Sequence, residues 1–148
     1  MDEKVGAVFH CGDIIAPFMK KPFKKLKDNG IPLYAVYGNN DGERAGLKKI
    51  FGKVFEIKGD FAELEIEGKK ICMFHHLPDG YVEALARSGN YDLILRGHTH
   101  EKLCKKVGNT LIINPGEACG YLTGHATVCV IDLDELDEDK VKFLELNS

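Results

Sequence analysis

The sequence predicts an α/β domain that ends in antiparallel strands. Short apolar or β-branched stretches, bounded by turn residues, alternate with helix-like stretches over the first two thirds of the chain. Strand-like stretches dominate the last third, which favours an antiparallel end to the domain. The 148 residues contain no repeat, low-complexity tract or linker, so we expect one domain that spans residues 1–148.

The individual elements follow from these patterns. Eight stretches have the length and composition of β-strands, namely 5–9, 31–37, 62–68, 70–74, 91–95, 110–114, 126–133 and 140–146. Three stretches have a helical character, namely 16–30, 41–52 and 79–89, and the first two end in Gly, as helix C termini often do. In the first helix we expect Phe18, Phe23 and Leu26 to face the core, and its lysines to form a solvated face rather than a basic patch for nucleic acid.

Composition excludes several classes of function. The chain is 44% hydrophobic and 29% charged with a formal net charge of -3, which gives no reason to expect nucleic acid or an anionic membrane as a partner. No apolar run approaches the roughly 20 residues of a membrane span, and the acidic N terminus lacks a signal-peptide pattern. The five cysteines are scattered, odd in number and never spaced as CxxC, which favours reduced thiols in the cytoplasm.

Residues that can bind a metal follow four of the predicted strands. Asp13 comes just beyond the first strand, Asn39 follows the second, His75 follows "KICMF", and His98 and His100 follow "YDLIL". Ligands of open α/β sheets bind at the carboxyl ends of strands, so these loops should converge. One carboxylate, one amide and three imidazoles form a nitrogen and oxygen donor set, which suits Mn, Fe, Ni, Zn or Mg better than a thiolate site would.

Each of these residues also has a plainer interpretation when it is taken alone. Asp13 could cap the following helix, Asn39 could occupy a turn, and His75 could be a structural histidine at a strand edge. His98 and His100 are harder to explain in this way, because residues two apart in an extended chain point to the same side. The joint occurrence of all five at strand ends favours a metal site.

Five motifs together resemble those of the calcineurin-like metallophosphoesterases. They are "HCGDII" (10–15), "GNNDGER" (38–44), the His after "ICMF", "GHTH" (97–100) and "INPGE" (113–117). The resemblance is strongest to the small microbial phosphodiesterase branch, which is also similar to the retromer small subunit, and it runs from about residue 5 to the end of the chain. It implies a four-layer α-β-β-α sandwich of two packed sheets, with a dinuclear metal centre at the strand ends.

The resemblance also implies roles for the strand-end residues. Asp13 would bridge two metal ions, Asn39, His75 and His98 would complete the first, and His100 would bind the second. A hydroxide that bridges the two metals would then attack the phosphoester. The ions would be divalent, with Mn, Ni, Fe or Zn expected and Mg also allowed.

The family pattern begins with a strand that ends in Asp-x-His, followed by a helix. No Asp-x-His occurs upstream of Asp13, so we expect this chain to lack that strand and helix and to be truncated relative to the family. The second metal would then keep only Asp13 and His100 as ligands, which would weaken catalysis by this form. Because an interior strand would be lost, self-association into a homo-oligomer by strand exchange is a further hypothesis.

Three residues are candidates for contacts with the substrate. Many relatives carry His where this chain has Asn40, and Asn cannot supply a proton to a leaving group, which favours activated or diester substrates. Arg44 could bind a phosphate oxygen or could pair with groups on a helix surface, and His76 could line the pocket or be solvated. The "NPG" turn at 114–116 could equally border the site or simply end a strand.

Two functions compete at this point. The first is a metal-dependent phosphodiesterase that acts on a small phosphoester. The second is a non-catalytic, metal-binding scaffold for protein–protein interaction with a vestigial site, as the retromer resemblance suggests. A vestigial site should have changed at several ligand positions, yet all five candidate ligands remain in this chain. This favours the enzyme.

Overall fold

A computed structural model describes residues 4–146. This part of the chain forms ten β-strands and three short α-helices, joined by turns and 3₁₀ segments. In chain order the elements are β1 (Val8–His10), α1 (Lys24–Asp28), β2 (Leu33–Ala35), α2 (Arg44–Ile50), β3 (Glu56–Ile57), β4 (Phe61–Ile66), β5 (Lys69–Phe74), α3 (Asp79–Arg87), β6 (Leu93–Leu95), β7 (Lys102–Val107), β8 (Thr110–Pro115), β9 (Thr127–Val130) and β10 (Lys142–Glu145).

A five-stranded mixed sheet forms one layer of the molecule. Its strand order is β4-β5-β6-β8-β7, in which the inner strands β5, β6 and β8 are parallel and the edge strands β4 and β7 are antiparallel to their neighbours. The inner strands are short, apolar and buried on both faces, as expected of parallel strands in an α/β protein. They therefore end at the same edge of the sheet.

The second β layer has two parts. Strands β1, β2 and β3 are parallel, and β9 pairs antiparallel with β10. Phe9 and Tyr34 from the first part and Cys129 from the second pack against the same apolar cluster on one face of the five-stranded sheet. Two sheets thus pack face to face over a shared core.

Alternation along the strands places helices on both outer surfaces. Leu33 and Ala35 of β2 face a cluster with α2 and the segment after it, whereas the intervening Tyr34 faces the other sheet. On the five-stranded sheet, Cys72 and Phe74 belong to a cluster with Val82 and Ala86 of α3. The four-layer α-β-β-α sandwich is therefore confirmed.

The structure corrects several predicted elements. The helix expected over 16–30 is instead a 3₁₀ segment at Pro17–Phe23 followed by the short α1, because Pro22 cannot donate a backbone hydrogen bond within a helix. Phe18 was expected to face the core and is 66% exposed, whereas Phe23 and Leu26 pack on the core as expected. The short β3 and the lysine-rich edge strand β7 were not predicted.

No helix within residues 4–146 combines the length and the apolar character needed to cross a membrane.

Candidate metal centre

The carboxyl ends of four parallel strands deliver the candidate ligands. Asp13 lies in the loop after β1, Asn39 in the loop after β2, His75 directly after β5 and His98 after β6. The first two come from one sheet and the last two from the other, so the site lies where the two packed sheets meet. The predicted convergence of these four residues is found in the structure.

The Nε2 atom of His75 is the hub of the cluster. It lies 2.8 Å from the Oδ1 atom of Asn39, 3.3 Å from the Nδ1 atom of His98 and 3.4 Å from the Oδ2 atom of Asp13. The Nδ1 atom of His98 is also 3.0 Å from the Oδ1 atom of Asn39. Four polar atoms from four loops therefore meet within a few ångströms.

The tautomer of His75 makes this meeting point electron-rich. The Nδ1 atom of His75 lies 2.8 Å from the carbonyl oxygen of Cys11, and a carbonyl can only accept, so Nδ1 carries the proton. The Nε2 atom then has a lone pair directed at the Asp13 carboxylate and the Asn39 carbonyl oxygen. Three acceptors that face one another repel unless a donor or a cation lies among them.

These spacings fit a bound divalent cation. Bonds of about 2.0–2.2 Å to nitrogen and oxygen ligands place neighbouring ligand atoms about 2.8–3.6 Å apart, from octahedral to tetrahedral geometry. The four separations of 2.8 to 3.4 Å fall in this range. Within residues 4–146, histidine, cysteine and carboxylate side chains by themselves form no metal-like group of three, and the cluster described here counts the amide oxygen of Asn39 among its donors.

Glycines allow the four loops to approach closely. A Cβ at Gly12 would lie 2.7 Å from the His75 Nδ1 atom, and a Cβ at Gly38 would lie 2.2 Å from the Asp13 Oδ1 atom. A Cβ at Gly97 would lie 3.0 Å from the carbonyl oxygen of Cys11. Each glycine precedes a candidate ligand in sequence, and each is needed because the adjacent loop packs against its Cα atom.

The Asp13 carboxylate is held by its neighbour across the loop. The backbone N–H of Asn40 donates to Oδ1 of Asp13 and its side-chain amide donates to Oδ2, both at 2.9 Å. Asp13 is mostly buried, with 15% of its side chain exposed. Asn40 therefore orients the carboxylate that the sequence predicted as the bridging ligand.

Two buried polar residues brace the loops from behind. Asp41, which is 3% exposed, accepts hydrogen bonds from the backbone N–H groups of Ile15 and Gly38, each at 2.7 Å. Asn114 donates to the carbonyl of Gly97 and the hydroxyl of Thr99, each at 3.0 Å. Asp41 joins the two loops after β1 and β2, and Asn114 fixes the GHTH loop, which gives the "NPG" segment a supporting role.

His98 presents a neutral ring to the cluster. Burial lowers its pKa from the ordinary value, and the neighbouring His76 and His75 rings lower it further, while Asp13 opposes the shift. The neutral imidazole is the form that binds a metal. Although the pKa of His98 is lowered, the residue keeps an exposed surface, so the cluster is open to solvent.

His100 has a different partner from the other candidate ligands. Its Nδ1 atom lies 2.7 Å from the Oε2 atom of Glu117, a carboxylate that follows β8. Glu117 was not identified as a functional residue from the sequence. The signal available there was its place in the loop of "INPGE", directly after a buried strand, where the other candidate ligands also occur.

The three predicted substrate contacts lie in distinct settings. Asn40 contacts Asp13, as described above, and the exposed His76 ring lies with its centroid 4.2 Å from that of His98. The Arg44 guanidinium forms a two-point ion pair with Asp60, at 2.7 and 3.1 Å, and lies over the Tyr37 ring. Arg44 is thus engaged in an ion pair on the surface, and its phosphate contact stays a prediction.

Comparison with known proteins places these features in context. A family model described as the calcineurin-like phosphoesterase superfamily domain matches residues 1–136. Phosphodiesterase MJ0936 of Methanocaldococcus jannaschii is 42% identical to this chain over 136 residues, which cover 90% of this chain and 80% of that protein.

The fold of this chain is also similar to the folds of solved structures. A structure described as a novel archaeal phosphodiesterase superposes with a TM-score of 0.82 at 38% sequence identity, covering 96% of this chain and 84% of the other. Vacuolar Protein Sorting 29 from Cryptosporidium parvum superposes with a TM-score of 0.62 at 18% identity, covering 99% of this chain and 84% of the other. At that identity the second likeness concerns the fold alone.

Proposed function

The chain belongs to the calcineurin-like phosphoesterase superfamily, and on this premise we propose that it is a divalent-metal-dependent phosphodiesterase. The family membership predicted from the strand-end motifs is confirmed, and with it the prediction of an enzyme. The substrate class, the metal centre and the roles of individual residues belong to the proposal.

One observation carries the proposal. Donor atoms of Asp13, Asn39, His75 and His98 meet with separations of 2.8 to 3.4 Å, and the fixed tautomer of His75 leaves its lone pair directed into that space. A cation would satisfy the lone pair of His75 and the carbonyl oxygen of Asn39 together. The donors nearby are the Asn40 amide, which already binds Asp13, and at most one proton on Nδ1 of His98.

We assign one ion to these four residues and a second ion to Asp13 and His100. The mixed nitrogen and oxygen donors suit Mn, Ni, Fe or Zn, and Mg is also compatible. When bound, divalent ions would neutralise the charge of a phosphate group and lower the pKa of water beside it. The chain contributes four donors to the first site and fewer to the second, so the first should bind more tightly.

The chain's own groups would position the substrate. Asn40 keeps the Asp13 carboxylate in place with two hydrogen bonds and has no proton to give to a leaving group. This supports small phosphodiesters with good leaving groups as substrates. The exposed His76 ring beside His98 could donate a hydrogen bond to a phosphate oxygen, and Arg44 could do so only by exchanging its partner Asp60.

A reducing compartment such as the cytoplasm is the location we propose. All five cysteines are free, and burial raises the pKa values of Cys11, Cys72 and Cys129 to about 12, which suppresses their thiolate forms. Such thiols act as small core hydrophobes and have no need of an oxidising environment.

The test combines metal binding with hydrolysis. The purified chain is saturated with Mn²⁺, freed of excess metal and assayed for bound ions and for hydrolysis of bis(p-nitrophenyl) phosphate. We expect activity that a chelator abolishes and that His75→Ala and His98→Ala lower by at least about 100-fold, since each removes a ligand.

His125→Ala serves as the matched control, because the exposed His125 side chain pairs with Glu145 outside the cluster. Its activity should equal that of the unmodified chain. Metal binding without hydrolysis of any diester would overturn the proposed phosphodiesterase activity of this chain. Equal activity in His98→Ala would overturn the proposed metal site.

A further inference from the structure

Glu117 is a buried carboxylate with an unusually complete set of hydrogen-bond donors. Only 5% of its side chain is exposed. One oxygen, Oε1, accepts from the backbone N–H groups of Leu122 and Thr123 at 2.7 and 2.6 Å and from the Thr123 hydroxyl at 2.9 Å. The other oxygen, Oε2, faces the Nδ1 atom of His100 at 2.7 Å.

These contacts hold Glu117 in its ionised form. Oε1 accepts three hydrogen bonds, which leaves no place for a proton on that oxygen, and Oε2 faces a ring nitrogen that is a stronger base than a carboxylate. An ionised carboxylate has no proton and can only accept. The proton between Glu117 and His100 must therefore be on Nδ1 of the histidine.

We propose that Glu117 is a positioning residue that fixes the His100 ring with its proton on Nδ1 and its lone pair on Nε2. A ring nitrogen can bind a metal only through a lone pair, so this arrangement leaves Nε2 as the ligand atom. This consequence for metal binding rests on the proposed function. The tautomer itself rests only on the hydrogen bonds of Glu117.

The backbone of Glu117 is fixed as firmly as its side chain. Its carbonyl accepts from the N–H of Thr127 at 2.8 Å, and the residue forms an isolated β-bridge with Ala126. Since Oε1 also binds the backbone of residues 122 and 123, the same carboxylate ties His100 to the loop that carries the exposed Tyr121 and Leu122. Glu117 thereby fixes the position of the His100 ring relative to this loop.

The substitution Glu117→Gln tests the proposal because Gln has nearly the same shape as Glu but reverses the direction of the hydrogen bond to His100. The amide oxygen of Gln must take the place of Oε1, since three donors of Leu122 and Thr123 converge there. The amide NH₂ then faces Nδ1 of His100 and donates to it. His100 should therefore move its proton to Nε2 and lose the lone pair there.

The readout is the ¹⁵N chemical shifts of the His100 ring at mildly alkaline pH, together with Mn²⁺ affinity by calorimetry. We expect the Nδ1–H tautomer in the unmodified chain and the Nε2–H tautomer in Glu117→Gln, with a loss of affinity of about 10- to 100-fold at the ion bound by His100. Thr123→Val removes one donor to Oε1 without touching Oε2 and should keep the original tautomer.

Several outcomes would overturn the proposal. An Nε2–H tautomer in the unmodified chain would do so without any variant, and so would an unchanged tautomer in a folded Glu117→Gln chain. If the tautomer reverses as expected but the chain hydrolyses no diester, the role of Glu117 stands and the proposed function fails. The two proposals can thus fail separately.

Discussion

At the scale of single residues, three candidate ligands have backbones in the left-handed region. Asp13, His98 and His100 have φ values of 55°, 73° and 62°. Non-glycine residues rarely adopt this conformation, and each instance costs on the order of 1–3 kcal/mol. Strain of this kind persists where the surrounding contacts determine it, and here it occurs at three of the candidate ligands. Within residues 4–146, Ile15 and Glu67 also have positive φ values, so three of the five non-glycine residues in this region are candidate ligands.

The strain at His98 can be measured by comparing two substitutions. Both His98→Gly and His98→Ala remove the imidazole, but only Gly accepts a φ of 73° without a steric penalty. We expect His98→Gly to be more stable than His98→Ala by about 1 kcal/mol in urea unfolding. The neighbouring Thr99 has no positive φ, so the Thr99→Gly variant should not be more stable than the Thr99→Ala variant. Equal stabilities of the two His98 variants would contradict the prediction.

A second residue-scale prediction concerns His10, whose half-buried ring packs against the rings of Phe23, Phe51 and Phe55. Burial lowers its pKa, Asp41 and Asp13 oppose the shift, and His75 adds to it. In the unfolded chain His10 binds a proton near its ordinary pKa of about 6.5, whereas the folded chain does not until lower pH. The contribution of His10 to the stability of the fold is therefore fully present above about pH 6.5, and it is lost as the pH falls towards the lowered pKa.

The protonation of His10 should lower the free energy of unfolding by at most about 1.4 kcal/mol for each unit by which the pH falls. Urea unfolding at several pH values between neutral and mildly acidic would measure it. Phe in place of His10 fits an aromatic surrounding and has no titrating proton, so His10→Phe should show a shallower pH dependence. Because His10→Phe removes this one imidazole and keeps the rest of the chain, the difference between the two slopes isolates His10. Identical slopes would contradict this account.

At the scale of elements, the loops after β1 and β2 pack so closely that Gly38 has no space for a side chain. A Cβ at Gly38 would lie 2.2 Å from the Oδ1 atom and 2.3 Å from the backbone N atom of Asp13. Gly38→Ala must therefore displace Asp13, and we expect Mn²⁺ affinity to fall by about tenfold or more. Gly42→Ala is the control, since its Cβ would meet no atom within 4 Å. Unchanged binding by Gly38→Ala would show that Asp13 is not a ligand.

The same elements show what a sequence can and cannot predict. Apolar runs such as 91–95 predicted the inner strands because burial on both faces leaves a continuous apolar pattern. The strand β7 escaped prediction because an exposed edge strand with lysines has no such pattern. The first helix was too long because its amphipathic spacing was given more weight than Pro22.

The candidate site also has residues that could be predicted from the sequence and contacts that could not. Asp13, Asn39, His75 and His98 could be predicted because each lies in the segment that follows a strand, and strand ends meet at one edge. The supporting contacts could not be predicted from local patterns. Asp41 binds Ile15 from 26 positions away, and Glu117 binds His100 from 17 positions away, so neither pairing leaves a periodic signal. Such contacts depend on the packed loops, which only the tertiary structure defines.

At the scale of the whole molecule, the candidate centre joins the two sheets. Asp13 and Asn39 extend from β1 and β2, whereas His75 and His98 extend from β5 and β6. An ion bound by all four would require both sheets to be packed together, so partial separation of the layers would release it. Metal binding should therefore stabilise the packed sandwich as a unit and not one sheet alone.

Hydrogen exchange with and without Mn²⁺ tests this expectation. At a free metal concentration 100 times the dissociation constant, binding to the folded chain should add about 2.7 kcal/mol to the free energy of unfolding. Amides of β1 and β2 and amides of β5 and β6 should gain protection together, because opening either sheet breaks the site. His75→Ala should lose the effect, whereas His125→Ala should keep it, since His125 pairs with Glu145 outside the site. Protection confined to one sheet would mean that the metal contacts only that sheet, and the four-residue site would have to be abandoned.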